Sequence, residues 1–266
     1  MCYNPIKIYD KSTDTYKIAS CRHCLECMQT RANEWALRGH FELLEHKENC
    51  FITLTYEKNP VRLHKEDMQN FIKRLRKSIE PIKIKYFSVG EYGDKNFRPH
   101  YHIIIFGYDF NDRQFLRMSQ SDIPIYDSKE LNKLWPEGIA IIQEANANTV
   151  RYSARYSAKL KIDLPEHLKN YPEYNTMSQS LGVEAIMRNI ETYLKTDEIY
   201  MDGFAYKIPN IILEKYAKTL TDPIEREFFQ QDYQTERNFR YNTKEQLKIR
   251  ERLAQKKLLH AKIREL

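Results

Sequence analysis

The chain has 266 residues, of which 41% are hydrophobic and 30% are charged, and its formal net charge is +6. This composition predicts a globular protein with a substantial core and a mild preference for polyanions. Neither a GxGxxG nor a GxxxxGKS/T motif occurs, which argues against a nucleotide-hydrolysing motor. A signal peptide and an apolar run of about 18 residues are also missing, so we expect a cytoplasmic protein without a membrane partner.

Five cysteines lie in the first 50 residues, and three of them form a CxxCxxC run. The set comprises Cys2, Cys21, Cys24, Cys27 and Cys50. An odd number at this spacing does not suit a secreted disulfide framework and favours thiolate ligands for a metal. A tetrahedral structural zinc site needs four ligands, and Cys2 or His23 would complete the run. Reduced thiols at the start of a helix are one alternative, and an iron–sulfur cluster, which no redox motif supports, is another.

Apolar periodicity predicts alternating helices and strands in the first half of the chain. We expect a helix over residues 31–46, a strand over residues 50–56 and a second helix over residues 64–79. The second helix has one apolar and one basic face. We interpret the basic face as solvated surface rather than as a DNA contact.

Two further strands are predicted to form a hairpin. Residues 82–89 alternate apolar and polar side chains, and residues 99–106 follow after a short loop. Strands joined in this way pair antiparallel. The hairpin would bring Glu91 near the start of the strand that carries His100 and His102.

A strand over residues 138–144 and a helix over residues 148–161 follow. The pattern predicts an α+β fold with a central antiparallel sheet of four to five strands, flanked by helices, and a helical C-terminal extension. Thr243 and Gln246 fit a capping box for a last helix that continues to residue 266. We expect three regions: a cysteine-rich arm over residues 1–30, a main domain over residues 31–220 and a basic helical extension over residues 221–266.

The spacing His100-x-His102 places both imidazoles on one face of a strand and Tyr101 on the other. Neutral imidazole binds divalent metals. Glu91 is the candidate third ligand, because its oxygen suits Mg²⁺ or Mn²⁺ and leaves positions open for a phosphate oxygen. The alternative is a pair of satisfied polar side chains at a strand entrance.

On the helix predicted over residues 148–161, one stripe contains Tyr152, Tyr156 and Lys159. A phenol with the usual pKa of about 10 is neutral at pH 7, so a nucleophilic tyrosine needs a metal or an ammonium group nearby. Paired tyrosines beside a metal predict phosphoryl transfer, and the basic composition favours nucleic acid as the substrate. A tyrosine-rich helix that merely packs on the sheet is the alternative.

Three segments resemble, in order and spacing, the motifs of the HUH endonucleases that initiate rolling-circle replication. They are FITLTY at residues 51–56, GEYG at residues 90–93 with RPHYH at residues 98–102, and YSARYSAK at residues 152–159. Within that superfamily the chain is most similar to the replication initiators of the gokushovirus group of microviruses, which are small single-stranded DNA phages. Residues 21–38, 177–182 and 202–209 also resemble segments of that group. Gln179, Ser180 and Leu181 depart from it, since the group tends to carry basic residues and a proline there.

The resemblance implies roles for the candidate residues. The nucleophiles would be Tyr152 and Tyr156, with Lys159 as an active-site cation. The ligands of Mg²⁺ or Mn²⁺ would be His100, His102 and Glu91. We expect contacts to DNA from Arg98, Arg151 and Arg155.

The main domain would then be an HUH endonuclease domain that nicks single-stranded DNA at the phage origin. Tyrosine attack would leave a 5′-phosphotyrosine and a free 3′-OH in the cytoplasm of the bacterial host, where a host helicase and polymerase are the expected partners. Three alternatives remain open. They are another HUH nickase, such as a plasmid initiator or transposase, a non-catalytic single-stranded DNA binding module with stacking aromatics, and a metal-dependent phosphodiesterase that activates water. The last would need further His and Asp ligands, and neither His64 nor His167 lies in such a cluster.

Overall fold

The computed structural model describes residues 2–11, 14–58, 60–93, 96–156, 164–229 and 244–264. Its elements are, in chain order, β1 (Ile6–Asp10), β2 (Thr15–Ala19), α1 (Leu25–Glu45), β3 (Asn49–Tyr56), α2 (Lys65–Ser78), β4 (Lys85–Tyr92), β5 (Pro99–Phe106), β6 (Gln114–Met118), β7 (Pro124–Asp127), α3 (Lys129–Leu134), β8 (Gly138–Glu144), α4 (Ala147–Arg155), β9 (Tyr174–Met177), α5 (Val183–Met187), α6 (Ile190–Thr196), β10 (Glu198–Met201), β11 (Phe204–Lys207), α7 (Asn210–Thr219), α8 (Pro223–Phe228) and α9 (Lys244–Arg264). A short 3-10 helix, Glu166–Leu168, precedes β9.

One large antiparallel sheet organises the fold. Its spatial order is β6-β7-β8-β3-β5-β4-β9, and two separate hairpins pair β1 with β2 and β10 with β11. The α+β class and the antiparallel sheet are therefore confirmed. The sheet has seven strands in the described part of the chain, rather than four to five. The additional strands, β6, β7 and β9, lie at its edges, where partial exposure removes the apolar alternation that marks a strand.

The two faces of the sheet bury different side chains, because successive residues of a strand point to opposite sides. On β5, Tyr101, Ile103 and Ile105 enter the larger core together with the apolar face of α2. Ile104 and Phe106 point the other way, into a smaller core. Helices α1 and α4 cover that second face, which is also the face of the two histidines.

A further core lies on the far side of α1. Leu37 of α1 packs there with residues of α5, α6, α7 and the β10–β11 hairpin. The side chains that are most deeply buried in it are Leu37, Val183, Ile186, Ile199, Ile208 and Ile212. Helix α1 is therefore shared between the sheet and the C-terminal half of the described chain.

Two predicted element bounds were wrong. The strand predicted over residues 82–89 is β4, Lys85–Tyr92, because its length is set by pairing with all eight residues of β5. The helix predicted from residue 31 begins at Leu25, since residues 25–30 are half-buried or exposed and carry no apolar stripe. The helix predicted over residues 148–161 begins at Ala147 and is described to Arg155.

Helix α9 confirms the predicted last helix, while Thr243 of the proposed capping box lies outside the described residues. None of the helices in the described ranges is long and apolar enough to cross a membrane. The region boundaries at residues 30 and 220 stay predictions.

Candidate active site

The two histidines lie beside each other on the sheet face that α1 and α4 cover. His100 and His102 alternate on β5 with Tyr101, which is buried in the opposite core. In the strand register, Glu91 of β4 is opposite His100 and Thr53 of β3 is opposite His102. Opposed residues of antiparallel strands point to the same face. The sheet alone therefore gathers these side chains.

Both imidazoles converge on one carboxylate oxygen. Glu91 Oε1 is 2.6 Å from His100 Nε2 and 3.1 Å from His102 Nε2. The side chain of Glu91 is buried, and its Oε2 atom has no hydrogen-bond partner among the described residues. A buried carboxylate oxygen without a partner costs free energy, so a further polar group or ion at this position would stabilise the site.

The outer nitrogen of each imidazole is held by a partner. His100 Nδ1 lies 3.1 Å from the carbonyl oxygen of Arg98, which can only accept, so Nδ1 donates and the neutral ring keeps an unprotonated Nε2. His102 Nδ1 lies 3.0 Å from Thr53 Oγ1. Phe51 stacks on His102 with ring centroids 5.3 Å apart. These contacts direct both Nε2 atoms toward Glu91 and resemble the supporting contacts of metal-bound histidines.

The cluster shifts the pKa of each of its members. Burial raises the pKa of Glu91, but the hydrogen bonds with His100 and His102 lower it by more. Burial lowers the pKa of His100, whereas its hydrogen bond with Glu91 gives a net upward shift. At His102 burial prevails and the pKa is lowered. Glu91 is thus ionised and His102 neutral at neutral pH, which are the states that metal ligands require.

These residues fit a divalent cation. The ligand atoms of Glu91, His100 and His102 all lie within 4.8 Å of one another. Two imidazole nitrogens and one carboxylate leave coordination positions open, and the oxygen ligand favours Mn²⁺ or Mg²⁺. The unpartnered Glu91 Oε2 supports the same interpretation.

Helix α4 positions the two tyrosines above this cluster. The helix begins with a capping box in which Asn146 Oδ1 accepts the backbone N–H of Thr149, and Thr149 Oγ1 accepts the N–H of Asn146. Its buried face packs on α1, where a Cβ atom at Gly39 would lie 2.6 Å from Val150 Cγ1. The lack of a side chain at Gly39 therefore sets how closely α4 approaches.

Tyr152 and Tyr156 lie next to His102. Their ring centroids are 5.6 Å and 6.3 Å from that of His102. Tyr156 Oη donates a hydrogen bond of 2.5 Å to Tyr152 Oη, and Tyr152 is 43% exposed. Two phenolic oxygens thus lie together at the solvent edge of the histidine–glutamate cluster.

The remaining predicted site residues have different surroundings. Lys159 lies outside the described residues. The guanidinium of Arg98 donates to the Tyr56 carbonyl, and Arg151 forms an ion pair with Asp202. Arg155 is exposed. Arg98 and Arg151 therefore make contacts within the protein, and DNA contacts by the three arginines stay a prediction.

The structure brings together four of the five cysteines. The Sγ atoms of Cys2, Cys21, Cys24 and Cys27 lie within 4.8 Å of one another. His23, the other candidate for the fourth ligand, is exposed and outside this cluster, and Cys50 is buried in β3.

Thr53 and Phe51 contribute to the site although sequence reasoning did not assign them a role there. Both act on His102, one by a hydrogen bond and the other by stacking. Their position on a strand of the predicted sheet was the available signal. The register between β3 and β5, which the sequence leaves open, decides which residue faces His102.

The segment over residues 177–182 contacts α1 through its backbone. Arg38 Nε donates to the Leu181 carbonyl at 2.8 Å, and the Gly182 N–H donates to Glu42 Oε2 at 2.7 Å. Gly182 has φ of +67°, and a Cβ there would lie 2.1 Å from the Arg38 carbonyl oxygen. Leu181 is fully buried. This segment therefore serves the packing between α1 and the sheet.

The comparisons with known proteins agree with this architecture. The family model of the replication-associated protein ORF2 matches residues 49–161, which contain β3, the histidine strand and α4. No solved structure matches the chain.

Three curated proteins are similar over most of the chain. Replication-associated protein ORF4 of Chlamydia phage 1 is 32% identical over 77% of this chain and 55% of its own length. Replication-associated protein ORF2 of Spiroplasma virus 4 is 33% identical over 67% of this chain and 60% of its own. Replication-associated protein VP4 of Bdellovibrio phage phiMH2K is 28% identical over 82% of this chain and 77% of its own. The chain thus spans less than two thirds of the first two relatives.

An antiparallel α+β sheet with a histidine–glutamate cluster beside paired tyrosines defines the class of protein. The matches then define the family: the chain belongs to the replication-associated proteins of gokushovirus-like microviruses, and residues 49–161 carry the region that the family model describes. The resemblance stated from the sequence motifs is confirmed.

Proposed function

We propose that the chain is a replication initiation endonuclease that nicks single-stranded DNA at the phage origin through Tyr152 or Tyr156. One observation carries the proposal. The two phenolic oxygens, 2.5 Å apart, stand beside His102, whose Nε2 shares the Glu91 carboxylate with His100. Nucleophiles and candidate metal ligands are thus adjacent, as phosphoryl transfer requires.

The chemistry follows from these groups. A tyrosine oxygen loses its proton and forms a bond to phosphorus, while the bond from phosphorus to the 3′ oxygen breaks and that oxygen takes up a proton. The products are a 5′-phosphotyrosine and a free 3′-OH. The covalent bond retains the energy of the phosphodiester, so the reverse attack by a 3′-OH rejoins the ends without ATP.

A cation held by Glu91, His100 and His102 would neutralise charge on the phosphate oxygens during this exchange. The protein itself holds the attacking groups in place. Packing of α4 on α1 fixes the position of Tyr152, and Tyr156 donates to its oxygen. That hydrogen bond stabilises negative charge as it develops on Tyr152.

Two tyrosines allow a second cleavage while the first covalent bond persists. One phenol would hold the 5′ end of the first strand while the other attacks the next origin sequence. The one-turn spacing of Tyr152 and Tyr156 on α4 supports this exchange, since both oxygens reach the same phosphate position.

The other parts of the proposal concern partners. The exposed Arg155 would contact the DNA backbone, and the free 3′-OH would prime a host polymerase assisted by a host helicase in the cytoplasm of the bacterial host. Arg98 and Arg151 would contact DNA only by exchanging the partners they have in the protein, Tyr56 and Asp202.

The test is covalent adduct formation on labelled single-stranded origin DNA with Mn²⁺ or Mg²⁺. We expect an adduct that survives denaturation, a severalfold lower yield for Tyr152→Phe and for Tyr156→Phe, and none for the double variant, because each phenol supplies one nucleophile. Tyr200→Phe, at an exposed position on β10, is the matched control and should react like the wild type.

The same assay separates the other functions. His102→Ala should abolish metal-dependent cleavage, while His23→Ala, at an exposed histidine outside the cluster, should not. Cleavage by hydrolysis without an adduct would contradict the proposal and favour a metal-dependent phosphodiesterase. Binding of DNA without cleavage would instead favour a non-catalytic binding module.

A further inference from the structure

The four clustered cysteines have the geometry of a tetrahedral thiolate site. Cys21 Sγ is 4.0 Å from Cys27 Sγ, and Cys24 Sγ is 3.9 Å from Cys2 Sγ. A tetrahedral zinc ion with Zn–S bonds of about 2.3 Å requires sulfur atoms about 3.8 Å apart. All four cysteines are free thiols, so no disulfide accounts for this approach.

Backbone N–H groups point at the sulfur atoms. The N–H of Cys21 donates to Cys2 Sγ at 3.2 Å, that of Cys24 to Cys21 Sγ at 3.3 Å and that of Tyr3 to Cys24 Sγ at 3.4 Å. Cys24 is also the N-cap of α1, and Cys27 lies in its first turn. N–H donors and a helix N-terminus both favour the thiolate form, in which cysteine binds metals.

The four residues connect a small hairpin to the first helix. Cys2 precedes β1 and Cys21 follows β2, so these two close the base of the β1–β2 hairpin, while Cys24 and Cys27 belong to the start of α1. The hairpin has only two strands and exposes apolar side chains, including Ile8 and Tyr16. An isolated two-stranded hairpin is marginally stable in water and needs an anchor.

We propose that Cys2, Cys21, Cys24 and Cys27 bind one structural Zn²⁺ ion that fastens the β1–β2 hairpin to the start of α1. Four thiolates complete the tetrahedral shell and leave no open position, so the ion holds structure and takes no part in strand cleavage. Zinc is favoured over the other thiolate-binding metals because the site joins two elements of secondary structure and has no redox partner among the described residues. This proposal does not rest on the nicking activity.

The anchored arm also reaches the C-terminal helix. Asn4 Nδ2 donates to Glu251 Oε1 of α9 at 3.4 Å. Metal binding at the cysteines would therefore restrain α9 as well as the hairpin. The coupling gives a readout that is remote from the cysteines.

The first test is the zinc content of the full chain purified without chelators. We expect one zinc per chain, retained in the double variant His100→Ala/His102→Ala and in Cys50→Ala, and lost in Cys27→Ser. The first variant removes the other metal cluster, and the second removes the buried cysteine of β3, which lies outside the thiolate cluster.

A second test uses the wild-type protein, so that misfolding of a variant has no bearing on it. We expect alkylation of Cys2, Cys21, Cys24 and Cys27 to be slow until a strong chelator is added, and hydrogen exchange in β1, β2 and α9 to accelerate at the same time. Substitution with Co²⁺ should give the thiolate-to-cobalt absorption and visible bands of a tetrahedral site. Absence of zinc with chelator-independent alkylation, disulfides among the four residues, or bound iron and sulfide would each overturn the proposal.

Discussion

At the scale of single residues, His102 shows how the site prepares a ligand. Its Nε2 atom lies 3.1 Å from Glu91, its Nδ1 atom lies 3.0 Å from Thr53 Oγ1, and Phe51 covers one side of the ring. The ring therefore has little freedom to rotate, and its lone pair is aimed before any cation arrives. Preorganisation of this kind lowers the cost of binding.

Replacing the Thr53 hydroxyl tests this interpretation. We expect Thr53→Val to weaken Mn²⁺ binding by about 10- to 100-fold, because His102 would lose the partner that fixes its orientation. Isothermal titration with Mn²⁺ measures the change. Thr55→Val, two residues along the same strand face, is the control, and equal losses in both variants would show that Thr53 has no special role.

The catalytic candidates were predictable from local spacing, whereas their supporting residues were not. His100 and His102 follow from strand alternation, and Tyr152 and Tyr156 follow from helical periodicity. Glu91 required only the assumption of a hairpin, which the register confirms. Thr53 depends on the pairing of two strands 49 residues apart, and no local pattern encodes that register.

At the scale of elements, the contact between α1 and α4 decides where the nucleophiles lie. Gly39 allows Val150 to approach α1, and Tyr152 is two residues farther along α4. Valine is stiff at χ1, so it has little room to move away from a new side chain. A change at Gly39 would therefore be passed to α4 as a displacement.

We expect Gly39→Ala to lower the rate of adduct formation by about 10- to 100-fold, because a shift of about 1 Å misplaces the tyrosines. The added methyl group raises helix propensity by about 1 kcal/mol, while overpacking costs about 1–3 kcal/mol, so the net effect on stability should be small. The measurement is the initial rate of adduct formation.

Two further variants complete this experiment. Adding Val150→Ala to Gly39→Ala should restore activity, since it removes the atom that the new methyl group meets. Asn33→Ala, at an exposed position of α1, should leave the rate unchanged. Wild-type activity in the single variant Gly39→Ala would show that the close approach does not position the tyrosines.

Elements with strong apolar patterns were predictable, and those that depend on tertiary contacts were not. Helix α2 and strands β5 and β8 occupy almost the predicted residues, since each buries a continuous apolar face. Strand β6 is exposed along its whole length and β9 is only half-buried, so pairing with neighbours creates them rather than their own sequence.

At the scale of the whole molecule, one buried carboxylate joins three parts of the chain. Glu42 of α1 is 2% exposed and accepts hydrogen bonds from Lys85 of β4 at 2.9 Å, from the Gly182 N–H at 2.7 Å and from His46 at 2.9 Å. Burial raises the pKa of Glu42, but these hydrogen bonds lower it by more. Sequence patterns gave no indication of this network, because the partners of Glu42 lie 4 to 140 residues away along the chain.

Removing Lys85 should destabilise the fold in a pH-dependent way. We expect Lys85→Met to lower the free energy of unfolding at pH 7 by about 1.5–3 kcal/mol, the usual value of a hydrogen bond to a charged group. Because the folded pKa of Glu42 is depressed, this stabilisation is present above the ordinary pKa of about 4.5 and is lost as the pH falls below it.

Urea unfolding at a series of pH values measures this effect. The difference between the wild type and Lys85→Met should shrink below about pH 4.5, where Glu42 begins to take up a proton. Lys83→Met, at an exposed lysine of the preceding turn, is the matched control and should change little. A difference that is independent of pH would contradict the assignment to Glu42.

The most direct measurement of the central proposal is the position of the DNA adduct on the chain. Wild-type protein would react with single-stranded origin DNA in Mn²⁺, the DNA would be trimmed by nuclease, and peptides that carry a residual nucleotide would be sequenced by mass spectrometry. The account predicts a nucleotide on Tyr152 or Tyr156 and on none of the other tyrosines among the 19 in the chain. An adduct at any other residue, or cleavage with neither tyrosine modified, would contradict it.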